Sequence, residues 1–152
     1  MSEFDLSTDP GFFALLAGSY RKLVGSPLVA VDQLDAPRWL YEEAPFGVLA
    51  HDTGEDPLFV YANKTAQRAF GYDWAGFTGL PSRLSAGPQD RTERQGLLDA
   101  VELKGFVDGY RGLRVNKSGA HFWIEDVTMW NLRDATGAYA GQAALFLGTS
   151  EG

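Results

Sequence analysis

The sequence predicts an α+β fold, a five-stranded antiparallel sheet with short helices on one face and a helical extension at its N-terminal end. Three observations carry this prediction. Residues 107–115, 122–132 and 138–147 read as three strands. The turns between them, Asn116-Lys117-Ser118-Gly119 and Asp134-Ala135-Thr136-Gly137, have the Asn, Asp and Gly residues that tight hairpins favour. A shorter hairpin lies ahead of them, and the intervening chain carries helical spacing and caps. A meander closed by helices makes a small cup.

Taken in order, the first element is a helix over residues 11–24, where Phe12, Phe13, Leu16, Tyr20, Leu23 and Val24 recur at spacings of three and four. Asp9 caps it, Pro10 suits its first turn, and Gly25-Ser26-Pro27 stops it. A second helix is expected over residues 37–43 with Asp35 as its cap, ending before Ala44-Pro45 because the residue preceding proline avoids helical geometry. Residues 46–51 and 58–62 form the first hairpin around Asp52-Thr53-Gly54. Asn63 then caps a helix that closes at Gly71. A helical turn follows over residues 74–77, then a loop over 81–88, and finally a helix over 89–104 with Leu97, Leu98 and Val101 on one side and Gly105 at its end.

A chain of 152 residues can bury a single sizeable core. It divides into a helical extension over residues 1–45 and one compact unit over 46–149. With no cysteine, the sequence has no disulfide, thiolate metal ligand, thiol nucleophile or cysteine-linked chromophore. The first residues lack a basic flank followed by an apolar run, and no apolar stretch approaches the ~20 residues that span a bilayer. A cytoplasmic protein with no membrane partner is expected. The net charge of -7 is concentrated before residue 57, and no basic stripe with interleaved aromatics occurs, so nucleic acid is not an expected partner.

Several motifs stand in a telling order. Phe59-Val60-Tyr61-Ala62-Asn63 is followed by Phe70-Gly71-Tyr72, then by Lys117-Ser118-Gly119 ahead of Phe122-Trp123, and by Arg133-Asp134 ahead of Gly137. This order resembles the Per-Arnt-Sim (PAS) sensor fold. A closer resemblance is to the MEKHLA family, PAS-related domains found alone in bacteria and at the C-terminus of plant class III homeodomain-leucine zipper proteins. It rests on Trp39-Leu40-Tyr41, the run from Ala44 to Asp52, Leu80-Pro81-Ser82-Arg83-Leu84-Ser85-Ala86, Arg91-Thr92-Glu93-Arg94, Gly109-Tyr110-Arg111-Gly112 and Gly141-Gln142-Ala143-Ala144. The resemblance covers nearly the whole chain and implies a PAS-like sensory or regulatory module of the stand-alone bacterial type. Neither a homeodomain nor a zipper heptad is present, so transcription-factor activity does not transfer.

Candidate ligand-binding residues are Gln142, Trp130, Trp123, Tyr110, Arg83, Arg94, Arg111 and His51. Strict alternation along the fourth strand puts Phe122, Ile124, Asp126, Thr128 and Trp130 on one face, and Trp123, Glu125, Val127, Met129 and Asn131 on the other. Core packing is the simpler account of the tryptophans. Gln142 has small neighbours that leave room beside its amide, which then faces either a ligand or a backbone partner, the latter preferred. Gly141-Gln142 and Phe122-Trp123 resemble flavin-binding PAS light sensors, whose photochemistry uses a cysteine that this chain lacks. The cofactor is unknown: a flavin held without an adduct stays open. A haem, less expected, would need His51 or His121 as its axial ligand. No metal site is expected.

Arg83, Arg91, Arg94, Arg111 and Arg114 either gather at one end of the cup, which suits a carboxylate or phosphate, or pair with Asp90, Glu93, Asp99 and Asp108. The near-balance of charge favours pairing. No standard catalytic motif occurs. The expected function is therefore a non-enzymatic sensor that binds a small organic ligand and acts through protein contacts, the N-terminal helix serving as the surface for a homodimer or partner. Two alternatives stand beside it. One is a small enzyme using His51, Asp52 and the arginines, and the other is a protein-interaction domain whose cup is filled by Phe122, Trp123, Trp130 and Phe146.

Overall fold

The computed structural model describes residues 6–152 and contains the predicted α+β architecture. Helices α1 (Pro10–Val24) and α2 (Ala36–Glu42) precede strands β1 (Gly47–His51) and β2 (Phe59–Ala62). Helices α3 (Lys64–Phe70), α4 (Trp74–Phe77) and α5 (Arg91–Lys104) follow, with 3-10 turns at Ser82–Ser85 and Pro88–Asp90. The chain ends in β3 (Phe106–Val115), β4 (His121–Arg133) and β5 (Tyr139–Glu151). All five strands join one antiparallel sheet in the order β2-β1-β5-β4-β3, so the last strand is central.

Local chemistry explains the helix limits. The Asp9 carboxylate accepts from the Phe12 N–H at 2.8 Å, and α1 ends at Gly25 in the left-handed region (φ 94°). Asn63 caps α3 and Gly71 closes it in the same way (φ 78°). Asp35 departs from expectation: it occupies the cap position of α2 with φ 48° and makes no capping bond, its carboxylate lying 3.4 Å from Arg38 Nε instead.

The sheet is buried on both faces. On the inner face, Phe70 of α3, Phe77 of α4, and Leu98 and Val101 of α5 pack over Leu49, Ile124, Val127, Met129, Ala144 and Phe146. On the outer face, Leu16 of α1 and Leu40 and Tyr41 of α2 pack over Val48, Ala50, Trp130, Leu132, Ala143 and Leu145. Trp130 is fully buried there, its Nε1 donating to the Leu16 carbonyl at 3.3 Å and its ring meeting Tyr20 edge-on at 4.9 Å. The apolar face of α1 is thus covered by the sheet of its own chain. That removes the reason for expecting the helix to seek a second copy, because the stripe is not exposed.

Strict alternation along β4 is also corrected. Asp126 has a left-handed backbone (φ 52°), and the pattern reverses across it. Phe122 and Ile124 consequently share the inner face with Val127 and Met129, while Trp130 and Leu132 face outward.

One buried side chain ties the two layers together. Asn63, with no exposed surface, accepts from the N–H groups of Val48 (3.0 Å) and Ala66 (3.1 Å) through Oδ1. Its Nδ2 donates to the carbonyls of Leu40 and Phe46, both at 3.0 Å. A single amide therefore joins α2, the strand entering the sheet and the first turn of α3. Asn63→Ala would leave buried groups on three elements unpaired and is expected to cost about 3–5 kcal/mol. Asn63→Asp should cost at least as much, because a carboxylate would face the Leu40 and Phe46 carbonyls. A urea midpoint lowered at constant m-value checks both.

Candidate functional site

The centre of the cup is polar, although apolar side chains surround it. His51 ends β1 and pairs across the sheet with Gln142 of β5. Its Nδ1 donates to the Asp52 carbonyl at 2.9 Å, which leaves the lone pair on Nε2. That Nε2 is buried beside the Gln142 side chain but makes no well-formed hydrogen bond among the described residues. Burial, and then the charge of Arg94, hold the His51 pKa below its ordinary value, so the ring is neutral near pH 7.

Gln142 is anchored to the protein, its Nε2 donating to the Leu98 carbonyl (3.0 Å) and to Asn131 Oδ1 (3.2 Å). Asn131 Nδ2 donates in turn to the Glu102 carbonyl (3.2 Å), so this pair joins the middle of the sheet to α5. The backbone partner is the one preferred from sequence. Gln142 nevertheless borders a cavity of about 30 Å³, together with His51, Ser85, Arg94, Arg114 and Met129. That volume holds one or two waters.

Two guanidinium groups border the same cavity. Arg94 is 7% exposed and Arg114 4% exposed. Arg114 Nη1 donates to the Leu113 carbonyl at 2.9 Å, while the Arg94 guanidinium makes no hydrogen bond among the described residues. No carboxylate among those residues forms an ion pair with either. Burial and the charge of Arg114 bring the Arg94 pKa down to about 10. Tyr110 stands beside them: its hydroxyl donates to the Glu93 carboxylate (3.1 and 3.2 Å), and its ring lies 5.8 Å from the Arg114 guanidinium. Gly112 makes this possible, since a Cβ there would lie 2.7 Å from both Arg114 Nη1 and the Tyr110 ring.

Other candidates lie elsewhere. Trp130 is in the outer core against α1. Trp123 lies under Arg111, whose guanidinium is 3.8 Å above its ring and pairs with Glu125 at 2.9 Å. Ser150 Oγ also donates to Glu125 at 2.6 Å, and these bonds hold that carboxyl below its usual range. Arg83 pairs with Asp56 at 3.0 Å on the exposed surface, and Arg91 donates to the Ala86 carbonyl. None of the arginines forms an ion pair with Asp90, Glu93, Asp99 or Asp108, the partners expected from composition. The Asp52 carboxylate binds the N–H groups of Gly54 and Leu58 in the hairpin turn, so it forms no acid-base pair with His51. His121 and His51 lie toward opposite ends of β5.

The site thus gathers His51, Arg94, Gln142 and the edge of Tyr110, with Arg114 and Asn131 added. Alternation of Tyr110, Gly112 and Arg114 on β3 is the signal in the sequence that puts Arg114 on the cup side. A larger space of about 640 Å³ runs between α1 and the β4–β5 turn, bordered by Gly11, Ala14, Gly18 and Arg133, and is an open groove rather than part of this cluster.

The family model described as the MEKHLA domain matches residues 11–150. No protein of curated function matches the sequence significantly. Among solved structures, a PAS domain of a protein from Colwellia psychrerythraea superposes with a TM-score of 0.64 at 18% identity, covering 78% of this chain and 95% of that one. A mutant of Vivid gives 0.58 at 20% identity, covering 86% and 96%. An RNA-binding light-oxygen-voltage receptor gives 0.61 at 20% identity, but its match covers 81% of this chain and only 36% of the receptor. At such identities the likeness shows the fold, which is that of PAS domains.

The lowered His51 pKa has a consequence for stability. The unfolded chain takes up this proton near pH 6.5, whereas the folded protein takes it up only at lower pH. The contribution of neutral His51 is therefore complete above pH 6.5 and is lost as pH falls through that value toward the folded pKa. Urea midpoints at pH 7.5 and 5.5 should fall further in the wild type than in His51→Gln. Equal declines would show that His51 is not the group responsible.

Proposed function

The chain belongs to the MEKHLA domain family, and from that premise we propose that it is a sensory module that takes a small ligand into the cup and acts through protein contacts. The observation that carries this reading is the buried polar cluster at the cup centre, where His51 Nε2 has no partner beside a 30 Å³ cavity. Of the buried polar atoms without a partner among the described residues, His51 Nε2, the Tyr61 hydroxyl and Asp90 Oδ2, His51 is the one whose residue lines this cavity. The size of the cavity favours a ligand of a few heavy atoms over a flavin, and the missing cysteine rules out adduct photochemistry.

A route for the signal is available. Inner-face residues Gln142 and Ala144 alternate on β5 with outer-face Ala143 and Leu145, which pack against the N-terminal helices. A shift of β5 on ligand uptake would move α1 and α2. The connection between those helices presents Val31 and Leu34, 86% and 85% exposed, as contacts for a second copy or another protein. The acidic surface supports a partner other than nucleic acid. No helix among the described residues is long and apolar enough to cross a membrane, and a cytoplasmic location fits the sequence expectation.

Native mass spectrometry of the wild type, after incubation with the low-molecular-weight fraction of a cell lysate, tests the ligand. Added mass and a raised Tm are expected. Both should be absent in Ala144→Val, which fills the cavity with two methyl groups while keeping the wild-type circular dichroism. A wild type that keeps its bare mass and its Tm would overturn the reading.

A further inference from the structure

Arg94 and Arg114 put two guanidinium groups at one buried cavity, and no acidic side chain among the described residues pairs with them. Buried charges are ordinarily paired, because desolvation of an isolated ion is costly. Arg94 is the stronger anomaly, being 93% buried with no hydrogen bond from its guanidinium among those residues. The Glu93 carboxylate, on the same helix as Arg94, is engaged by the Tyr110 hydroxyl. The site therefore has an excess of positive charge, with two guanidinium side chains lining a space too small for a large molecule.

We infer that the cup binds a small anion, a carboxylate or inorganic oxyanion of a few heavy atoms, held between Arg94 and Arg114 and facing His51. This rests on the sensory reading above and names its ligand class. Planar guanidinium donors match oxyanions, and a small anion fits the restricted volume. Ser85 does not compete, because its hydroxyl is engaged by the Ser82 carbonyl at 2.8 Å.

Anion uptake also draws in a proton. The groups acting on the imidazole are Asp52, next in the chain, Arg94 on α5 and the neutral Gln142 on β5; Arg114 on β3 lines the same cavity, with Tyr110 and Glu93 beyond it. Without a counter-charge, Arg94 opposes protonation of Nε2. An anion offsets that charge, so a proton from solvent can settle on Nε2 and donate to the anion. Binding should accordingly tighten as pH falls from 8 to 6.

Sodium formate, acetate and nitrate, none of which titrates between pH 6 and 8, are the probes, each titrated at fixed ionic strength. At least one is expected to raise the Tm saturably, by about 6–10 °C at a hundredfold excess over its Kd. Arg94→Met should lose this increment, yet melt at or above the wild-type temperature without anion, since it removes an uncompensated buried charge. Arg114→Gln should lose the increment as well and serves if the first variant does not fold. Arg83→Gln, which changes only an exposed pair, should retain it, and His51→Gln should bind with affinity independent of pH. Equal salt responses in wild type and both cup variants would overturn the inference. A neutral molecule from the lysate fraction that Arg94→Met still takes up would overturn it while leaving the sensory reading intact, whereas a wild type that takes up nothing would remove both.

Discussion

Gly141 lies so close to the His51 carbonyl that any Cβ at this position would overlap its oxygen, and its backbone (φ 133°) is one that other residues rarely adopt. This close approach sets β5 beside β1 in the middle of the sheet. The residues that follow, Gln142, Ala143, Ala144, Leu145 and Phe146, are all buried, alternately against the cup and against the N-terminal helices. A central strand buried on both faces must read as a nearly continuous run of small and apolar residues. Gln142 is the single amide in that run, and its two hydrogen bonds, to α5 and to β4, make it tolerable there.

The same strand makes the two faces of the sheet interdependent. An inner-face residue cannot shift without moving its outer-face neighbour, because adjacent side chains on a strand share one backbone. Packing on the outer face is correspondingly specific: Ser19 Oγ donates to the Arg133 carbonyl and accepts from the Arg133 N–H at 3.0 Å, which pins α1 to the end of β4. Leu16 and Trp130 form a second tie one turn away. The N-terminal helices are therefore a layer of the same core, and the family match over residues 11–150 includes them.

Much of this was legible in the sequence where local chemistry decides the outcome. Asp9, Gly25, Asn63 and Gly71 mark helix ends because caps and left-handed residues act over three or four positions. The hairpin turns read correctly for the same reason: Asn116 and Asp134 each accept from N–H groups two and four residues on. Facing was less legible. One aspartate with positive φ reverses β4, and since aspartate also occurs in ordinary extended strands, no pattern in the sequence distinguishes the two cases. Strict alternation puts Trp130 and Trp123 on opposite faces, yet neither borders the cavity. Charge pairing was misjudged for a related reason. Composition counts acids and bases, but it cannot show that Arg83 and Arg111 find partners at the surface while Arg94 and Arg114 turn inward.

That division of the arginines explains how a nearly filled cup can still be selective. Exposed pairs such as Arg83–Asp56 contribute little, since water and salt screen them. A guanidinium in the cup is screened far less, so whatever enters the cavity meets a field set by Arg94 and Arg114 rather than by the negative charge of the whole chain. The protein therefore presents an acidic exterior and a basic cup, and under the anion proposal small size and negative charge are the two properties an occupant would need. Because Gln142 at the cavity edge is bonded to Asn131 of β4 and to α5, and Asn131 in turn to α5, an occupant that moved Gln142 would move those elements with it.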